Sequence, residues 1–418
     1  MHSLMESLAA LLFAIALLHT FTAKQFERLA HRFPKHSGIF HFLGEVEVVF
    51  GLWAVVLIAL MAAIVGGAEA IDYAESRNYT EPLFVFVVMV MAASKPIVQT
   101  IGRLLAWTAQ RMPVRTPVAA AWLGLAVVPL LGSLITEPAA MTIAALMLAS
   151  QLFRKDVPEG VKYLALGVLF VNVSIGGTLT SYAAPPVLMV AATWGWDSWF
   201  MLTHFGWKCA LAVVVNATLA TFVLRKYLVG GAAEASDERA GRMPFALVAV
   251  HVVLLAAVIV SAHHPVIFLG IFLLFLGIAQ AYRQHQNRLI LKEALLVGFF
   301  LAGLVVLGGM QQWWLRPIVE GLAPLVLFFG ALGLTAITDN AALTYLGSLI
   351  EGISDPAKYM LVAGAVAGGG LTVIANAPNP AGVSLLKTGF QDDTVSVGAL
   401  LLGALVPTAV AATALLIL

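Results

Sequence analysis

Two acidic residues lie inside apolar segments that are far apart in the chain but similar in sequence. Glu137 stands in the segment GSLITEPAAMTIAALML, and Asp339 stands in LTAITDNAALTYLG. The two segments align without gaps, so the acids occupy equivalent positions and each follows a threonine, Thr136 or Thr338. An ionised carboxylate at bilayer depth is costly unless it is paired, hydrated or bound to a cation. The duplicated acids are therefore the first candidates for a functional site.

A glycine-rich break follows each acidic segment. Residues 176–180 read GGTLT and residues 368–372 read GGGLT, so each break ends in a threonine, Thr180 or Thr372, and prolines follow both. Apolar segments interrupted by glycine and proline at corresponding positions of two halves are typical of a transporter binding site at a repeat interface. The sequence therefore predicts a transporter built from two related halves.

The polar side chains at these motifs can bind a small cation such as Na⁺. Hard cations take oxygen ligands, and the motifs offer hydroxyl, carboxylate and amide oxygens. The residues that carry them are Thr136, Glu137 and Thr180 in the first half and Thr338, Asp339, Asn340 and Thr372 in the second. Burial favours the neutral form of a carboxyl group, so each acid can hold a proton when no cation is bound. Competition between a proton and a cation for one carboxylate is sufficient for exchange transport.

The composition is that of a polytopic membrane protein. Hydrophobic residues make up 61% of the 418 residues and charged residues 11%, whereas charged residues run near 25% in soluble domains. The net charge of +1 gives no reason to expect a nucleic-acid partner. The chain has no GxxxxGK[ST] motif, so direct coupling to ATP is not expected.

A helix needs about 20 apolar residues to cross the ~30 Å hydrocarbon core. By that rule about ten segments cross the membrane, two of them broken at the glycine motifs. They lie near residues 4–21, 39–66, 81–105, 161–192 (broken), 199–224, 244–262, 265–281, 289–309, 358–388 (broken) and 394–417.

Two further apolar segments, 116–153 and 317–353, are too long for one span and too short for two. Each has its polar break at the acidic motif. We expect both to be re-entrant helical hairpins whose tips carry Glu137 and Asp339 to mid-membrane, because irregular backbone is tolerated at that depth where it lines a cavity.

The charges that flank the hairpins predict their orientation. Arginines and lysines flank the first hairpin, which indicates a cytoplasmic side, while acids predominate around the second, which indicates the outside. Equivalent hairpins that enter from opposite sides require inverted repeats. The predicted division is residues 1–228 for the first repeat, 229–243 for a cytoplasmic linker and 244–418 for the second repeat.

Three further charged residues lie at apolar depth: Glu45, Glu47 and Lys95. An ion pair between Lys95 and one of the glutamates would hold the first half together. The same residues could instead conduct protons, and the sequence leaves both interpretations open.

The motifs also resemble those of a known family. AITDNAALT resembles the acidic hairpin motif of the ion transporter superfamily, especially its NhaD-type sodium/proton antiporters and arsenite efflux pumps, and GGGLTVIANAPNPAG resembles the second motif of that group. The chain is most similar to a bacterial family known as putative sodium/proton antiporters. The resemblance covers residues 40–418 and implies a homodimer of two inverted repeats, each with a scaffold and a transport unit that moves like an elevator.

The resemblance also implies the cation-site residues. They are Thr136, Glu137, Thr180, Thr338, Asp339, Asn340, Thr372, Asn376 and Asn379. The first half departs from the pattern, because Pro138 replaces the motif asparagine and Ala184 and Val187 stand where the second half has Asn376 and Asn379. Whether there are one or two cation sites therefore stays open.

These observations favour a secondary transporter of a bacterial inner membrane that exchanges Na⁺, or another small cation, for H⁺ without a cofactor or an enzymatic reaction. The alternative is a cation-coupled transporter of the same architecture for a dicarboxylate, arsenite or similar anion. Carboxylates at both hairpins disfavour a bare anion, because their field repels it unless cations bind first. A channel or a structural membrane protein is a third class.

Overall fold

The computed structural model describes residues 2–229, 243–319, 321–391 and 393–418, and over these ranges it contains helices and no strands. The helices before residue 230 are α1 (His2–Arg32), α2 (Ser37–Gly44), α3 (Val46–Ile64), α4 (Gly67–Glu75), α5 (Thr80–Ala92), α6 (Lys95–Arg111), α7 (Thr116–Leu125), α8 (Val127–Ile135), α9 (Glu137–Ala149), α10 (Glu159–Gly176), α11 (Pro185–Trp194), α12 (Ser198–Met201) and α13 (Trp207–Leu224). Those after it are α14 (Phe245–Val260), α15 (Pro265–Ala281), α16 (Leu291–Gly308), α17 (Gln312–Val319), α18 (Pro324–Thr335), α19 (Asn340–Ser348), α20 (Asp355–Gly368), α21 (Asn379–Leu386) and α22 (Val397–Ile417).

Several of these helices are apolar enough to cross a membrane. Four continuous helical stretches qualify by length and composition: Glu159–Leu179, Ser198–Leu224, Leu291–Gly308 and Val397–Ile417. Three more qualify if each bent pair of helices is one span, and six shorter apolar helices accompany them. The all-α prediction is confirmed, and the helices are consistent with a polytopic membrane protein.

Two predicted spans, 39–66 and 81–105, are each broken by a bend. In the first span the helices before and after Glu45 meet at 91°, and in the second the bend between α5 and α6 is 61°. Pro96 explains the second bend, because proline lacks an N–H and its ring clashes with the preceding turn, so it is tolerated at a helix start but not in the interior. Lys95 therefore lies at the first residue of α6.

The two predicted hairpins differ in construction. The segment 116–153 holds three helices, α7, α8 and α9, with a 41° bend between α7 and α8. The segment 317–353 contains the end of α17 and then α18 and α19. The predicted linker 229–243 lies almost wholly outside the described residues.

Packing brings the two halves together around the breaks. α10 packs against α8, α9 and α13 of its own half and against α20 and α22 of the other half. In addition, α11 packs against α19, and α21 packs against α9. The helix after each glycine break thus contacts the acidic helix of the opposite half, which places both acidic motifs in one region.

Candidate cation site

Glu137 begins α9 directly after a sharp break in the backbone. Thr136, the residue between α8 and α9, has φ 98°. This conformation is rare for a β-branched residue and costs about 1–3 kcal/mol. The Glu137 side chain is fully buried. Its Oε2 accepts a hydrogen bond of 2.8 Å from Asn376 Nδ2, whereas its Oε1 has no hydrogen-bond partner in the described chain. The carboxyl group lies against Gly177, where an added Cβ would be 2.5 Å from Oε1.

Asp339 caps the N-terminus of α19. Its Oδ1 accepts hydrogen bonds from the backbone N–H groups of Ala341 at 2.8 Å and Ala342 at 3.2 Å. Such a cap satisfies donors that the first turn of a helix otherwise leaves unpaired. The backbone N–H of the next residue, Asn340, donates to Ala375 O at 3.1 Å, so the tip of this segment is attached to the second break.

The threonines at the two glycine breaks make similar contacts. Thr180 Oγ1 donates to Ser133 O at 2.7 Å, and Thr372 Oγ1 donates to Ala336 O at 2.8 Å. Both acceptors lie shortly before the acidic residue of the same half. Each threonine therefore holds its break against its own acidic segment, and its oxygen can still accept a hydrogen bond or contact a cation.

The two asparagines of the second break have different partners. Asn376 reaches the first half through Glu137, as described above. Asn379 is fully buried and donates to Gly369 O at 2.8 Å and Thr372 O at 2.9 Å, which satisfies carbonyl groups where the helix is interrupted. The resemblance implies both residues as site residues, but it does not imply the bridge from Asn376 to the opposite half.

A small cavity of about 20 Å³ lies between α16 and the second break. Asp339 and Asn376 line it together with the apolar side chains of Val297 and Phe300. About 10–15 Å³ is enough for one water molecule, so the cavity has room for a particle of that size. Asn376, which lines the cavity, also donates a hydrogen bond to the Glu137 carboxylate.

Several buried side-chain oxygens around the two acids lack hydrogen-bond partners within the described residues. They are Thr136 Oγ1, Glu137 Oε1, Asn340 Oδ1, Asn376 Oδ1 and Asn379 Oδ1. A buried acceptor without a partner costs about 1–3 kcal/mol, and most buried polar groups in native structures have a hydrogen-bond partner. Hydroxyl, carboxylate and amide oxygens are the ligands that hard cations prefer.

Three of the sequence candidates, Thr338, Glu45 and Lys95, lie less centrally. Thr338 is half-buried in the turn before Asp339. Glu45 does not form the expected pair with Lys95, because its Oε1 lies 3.0 Å from Lys292 Nζ of α16. The side chain of Glu47 is outside the described part of the structure, and Lys95 is half-buried at the bend between α5 and α6.

Sequence reasoning missed a buried polar network beside the first break. Asn172 Nδ2 on α10 donates to Leu125 O at 2.8 Å. Asn216 on α13 donates to Asn172 Oδ1 at 3.0 Å and to Pro407 O at 3.1 Å. The signal was available, since an asparagine within an apolar span is costly without partners. The network fixes α10, which carries the first break, against both halves.

One comparison identifies the family. The family model described as "Putative Na+/H+ antiporter" matches residues 4–418, which include both acidic motifs and both glycine breaks. No curated protein matches the chain. The helical fold and its apolar spans agree with an integral membrane protein of this kind. The chain therefore belongs to the putative Na⁺/H⁺ antiporter family, and it is a membrane transporter rather than an enzyme.

Proposed function

We propose that the protein exchanges Na⁺, or another small cation, for H⁺ at a site formed by Glu137 and Asp339. The observation that carries this proposal is the set of five buried oxygens without partners on the acidic motifs and the second break. Of these five residues Asn376 lines the adjoining cavity together with Asp339, and their oxygens would coordinate a dehydrated cation there. No observation favours the alternative of an anion substrate.

The exchange follows from the repulsion between the two carboxylates. Two negative charges that lie near each other in a low-dielectric interior need positive charge between or on them. Either a bound cation or protons on the carboxyl groups satisfy this need. A carboxylate oxygen that coordinates the cation cannot also hold a proton, so cation binding releases protons. Asn376 holds Oε2 of Glu137 and leaves Oε1 for this competition.

The architecture in this proposal is two inverted repeats, each with a re-entrant hairpin and a broken helix. Three features support it: the reciprocal packing of α11 on α19 and of α21 on α9, the similar threonine contacts, and the opposite charges flanking the hairpins. The hairpins and broken helices pack on one another, while α3 packs on α1 and α16. The first group would be the moving unit of an elevator, and the second its scaffold.

The homodimer and the bacterial inner membrane are implied by the resemblance and stay predictions. The same holds for Na⁺ as the particular cation, because the ligand types suit several small hard cations.

The test is proton movement in proteoliposomes that contain the purified protein and a pH-sensitive dye. Addition of Na⁺ outside should dissipate a preformed acid-inside pH gradient. Li⁺ and K⁺ added separately would define the cation selectivity. Glu137→Gln should reduce this response strongly, whereas Glu75→Gln, at an exposed position on α4, should leave it unchanged. If none of these cations elicits proton movement in proteoliposomes that contain the wild-type protein, the proposal is wrong.

A further inference from the structure

A basic groove lies at the junction of α15 and α16, away from the cation site. Its volume is about 780 Å³, which falls within the range of ligand pockets, ~300–1,000 Å³. Three basic residues line it: Arg283, Arg288 and Lys292. One acid, Glu293, lines it as well, so positive charge predominates.

The two arginines of the basic groove are available for an anion. Lys292 is paired with Glu45. Among the residues that the structure describes, neither Arg283 nor Arg288 has a carboxylate within salt-bridge distance. Guanidinium groups bind phosphate through two parallel hydrogen bonds, which makes arginine the preferred residue for this anion.

The groove also has an apolar wall, made by Leu276, Ala279 and Leu289. The loop that carries the arginines is attached to the helix bundle, because Gln286 Nε2 lies 2.6 Å from Nε2 of the buried His251 on α14. The arginines are thus held beside an apolar surface. A ligand with an anionic group and an adjoining apolar part would match both walls.

We propose that the basic groove binds the phosphate headgroup of an anionic phospholipid. Clusters of basic residues next to membrane-spanning helices attract anionic headgroups, and the apolar wall would contact the glycerol and the upper acyl chain. A free phosphate ester offers the same anion but no apolar part, so the lipid fits the whole groove better. One helix joins this groove to the cation site, because α16 begins at the groove and continues to Val297 and Phe300.

The experiment is native mass spectrometry of the delipidated full-length protein titrated with phosphatidylglycerol or phosphatidylcholine. We expect preferential binding of phosphatidylglycerol to the wild type. In Arg283→Gln/Arg288→Gln the apparent Kd should rise by roughly fivefold for each arginine removed. Arg283→Lys/Arg288→Lys, which keeps the charges, should recover part of the binding.

The matched control is Arg225→Gln/Lys226→Gln, which removes two exposed basic residues after α13 and should bind lipid as the wild type does. Equal phosphatidylglycerol binding by the wild type and the Arg283/Arg288 glutamine variant would overturn the proposal. Displacement of the lipid by an equal concentration of glycerol phosphate would overturn the lipid as the ligand, because the groove would then take a soluble anion. The measurement does not depend on which ion is transported.

Discussion

Substitution of Asp339 by asparagine separates the charge of this residue from its structural role. In the structure Asp339 caps α19 through two backbone N–H groups. Asparagine is about as good an N-cap as aspartate, so Asp339→Asn should lower stability only by the lost charge–dipole interaction, about 0.3–1 kcal/mol. Asp339→Ala removes the cap as well and should cost about 1 kcal/mol more.

The effect on cation binding should be much larger than the effect on stability. Two unit charges about 4 Å apart interact with about 4 kcal/mol at an effective dielectric constant near 20, which corresponds to about a thousandfold in affinity. Both variants should therefore lose cation-driven proton movement in proteoliposomes.

A second measurement checks the binding step directly. A cation that binds the native state raises the melting temperature in a concentration-dependent way. Na⁺ should stabilise the wild type and should not stabilise Asp339→Asn at the same concentration. Exchange at the wild-type rate in Asp339→Asn would remove Asp339 from the mechanism, and a large loss of stability in this variant would refute the cap argument.

Two further predictions concern the first break and the topology. Gly177→Ala should impair exchange at a stability cost of about 1–3 kcal/mol, because the new Cβ would lie 2.5 Å from Glu137 Oε1. The control is Gly270→Ala, where a Cβ meets nothing within 4 Å. Equal transport by both variants would contradict the placement of Glu137. In a background without the native cysteine, a cysteine at Gly160 should react with a membrane-impermeant thiol reagent only from the cytoplasm and one at Ser354 only from outside, whereas labelling of both from one side would contradict the inverted repeats.

The sequence was sufficient for the fold class, and it also singles out the two acids as candidates for the site. High apolar content and segment length predict helices that cross a membrane, and the gap-free duplication singles out Glu137 and Asp339. The structure places both acids in one region. Asp339 directly precedes α19 and caps the N-terminus of that helix. Local pattern was enough here because helix starts and apolar runs depend on neighbouring residues.

Contacts between distant parts of the chain could not be predicted in the same way. The sequence leaves open whether Lys95 pairs with Glu45 or Glu47 or whether these residues conduct protons. In the structure the partner of Glu45 is Lys292, 247 residues away. The bend at Pro96 separates α5 from α6 and changes the direction of the chain there. Ion pairs between residues so far apart in the chain depend on how bent helices pack. The periodicity of apolar residues does not predict this packing.

The bridge between the halves bears on whether the protein has one cation site or two. The first half lacks the asparagines of the second, since Ala184 and Val187 stand at the corresponding positions. Asn376 compensates for this loss, because its amide reaches across to Glu137 while the same residue lines the cavity of Asp339. A single asparagine thus connects both acids, and the charge of a cation bound beside Asp339 would act on the Glu137 carboxyl group. Within the proposed exchange, this contact favours one composite site, to which the second half contributes the amide of Asn376 and the first half the carboxyl group of Glu137.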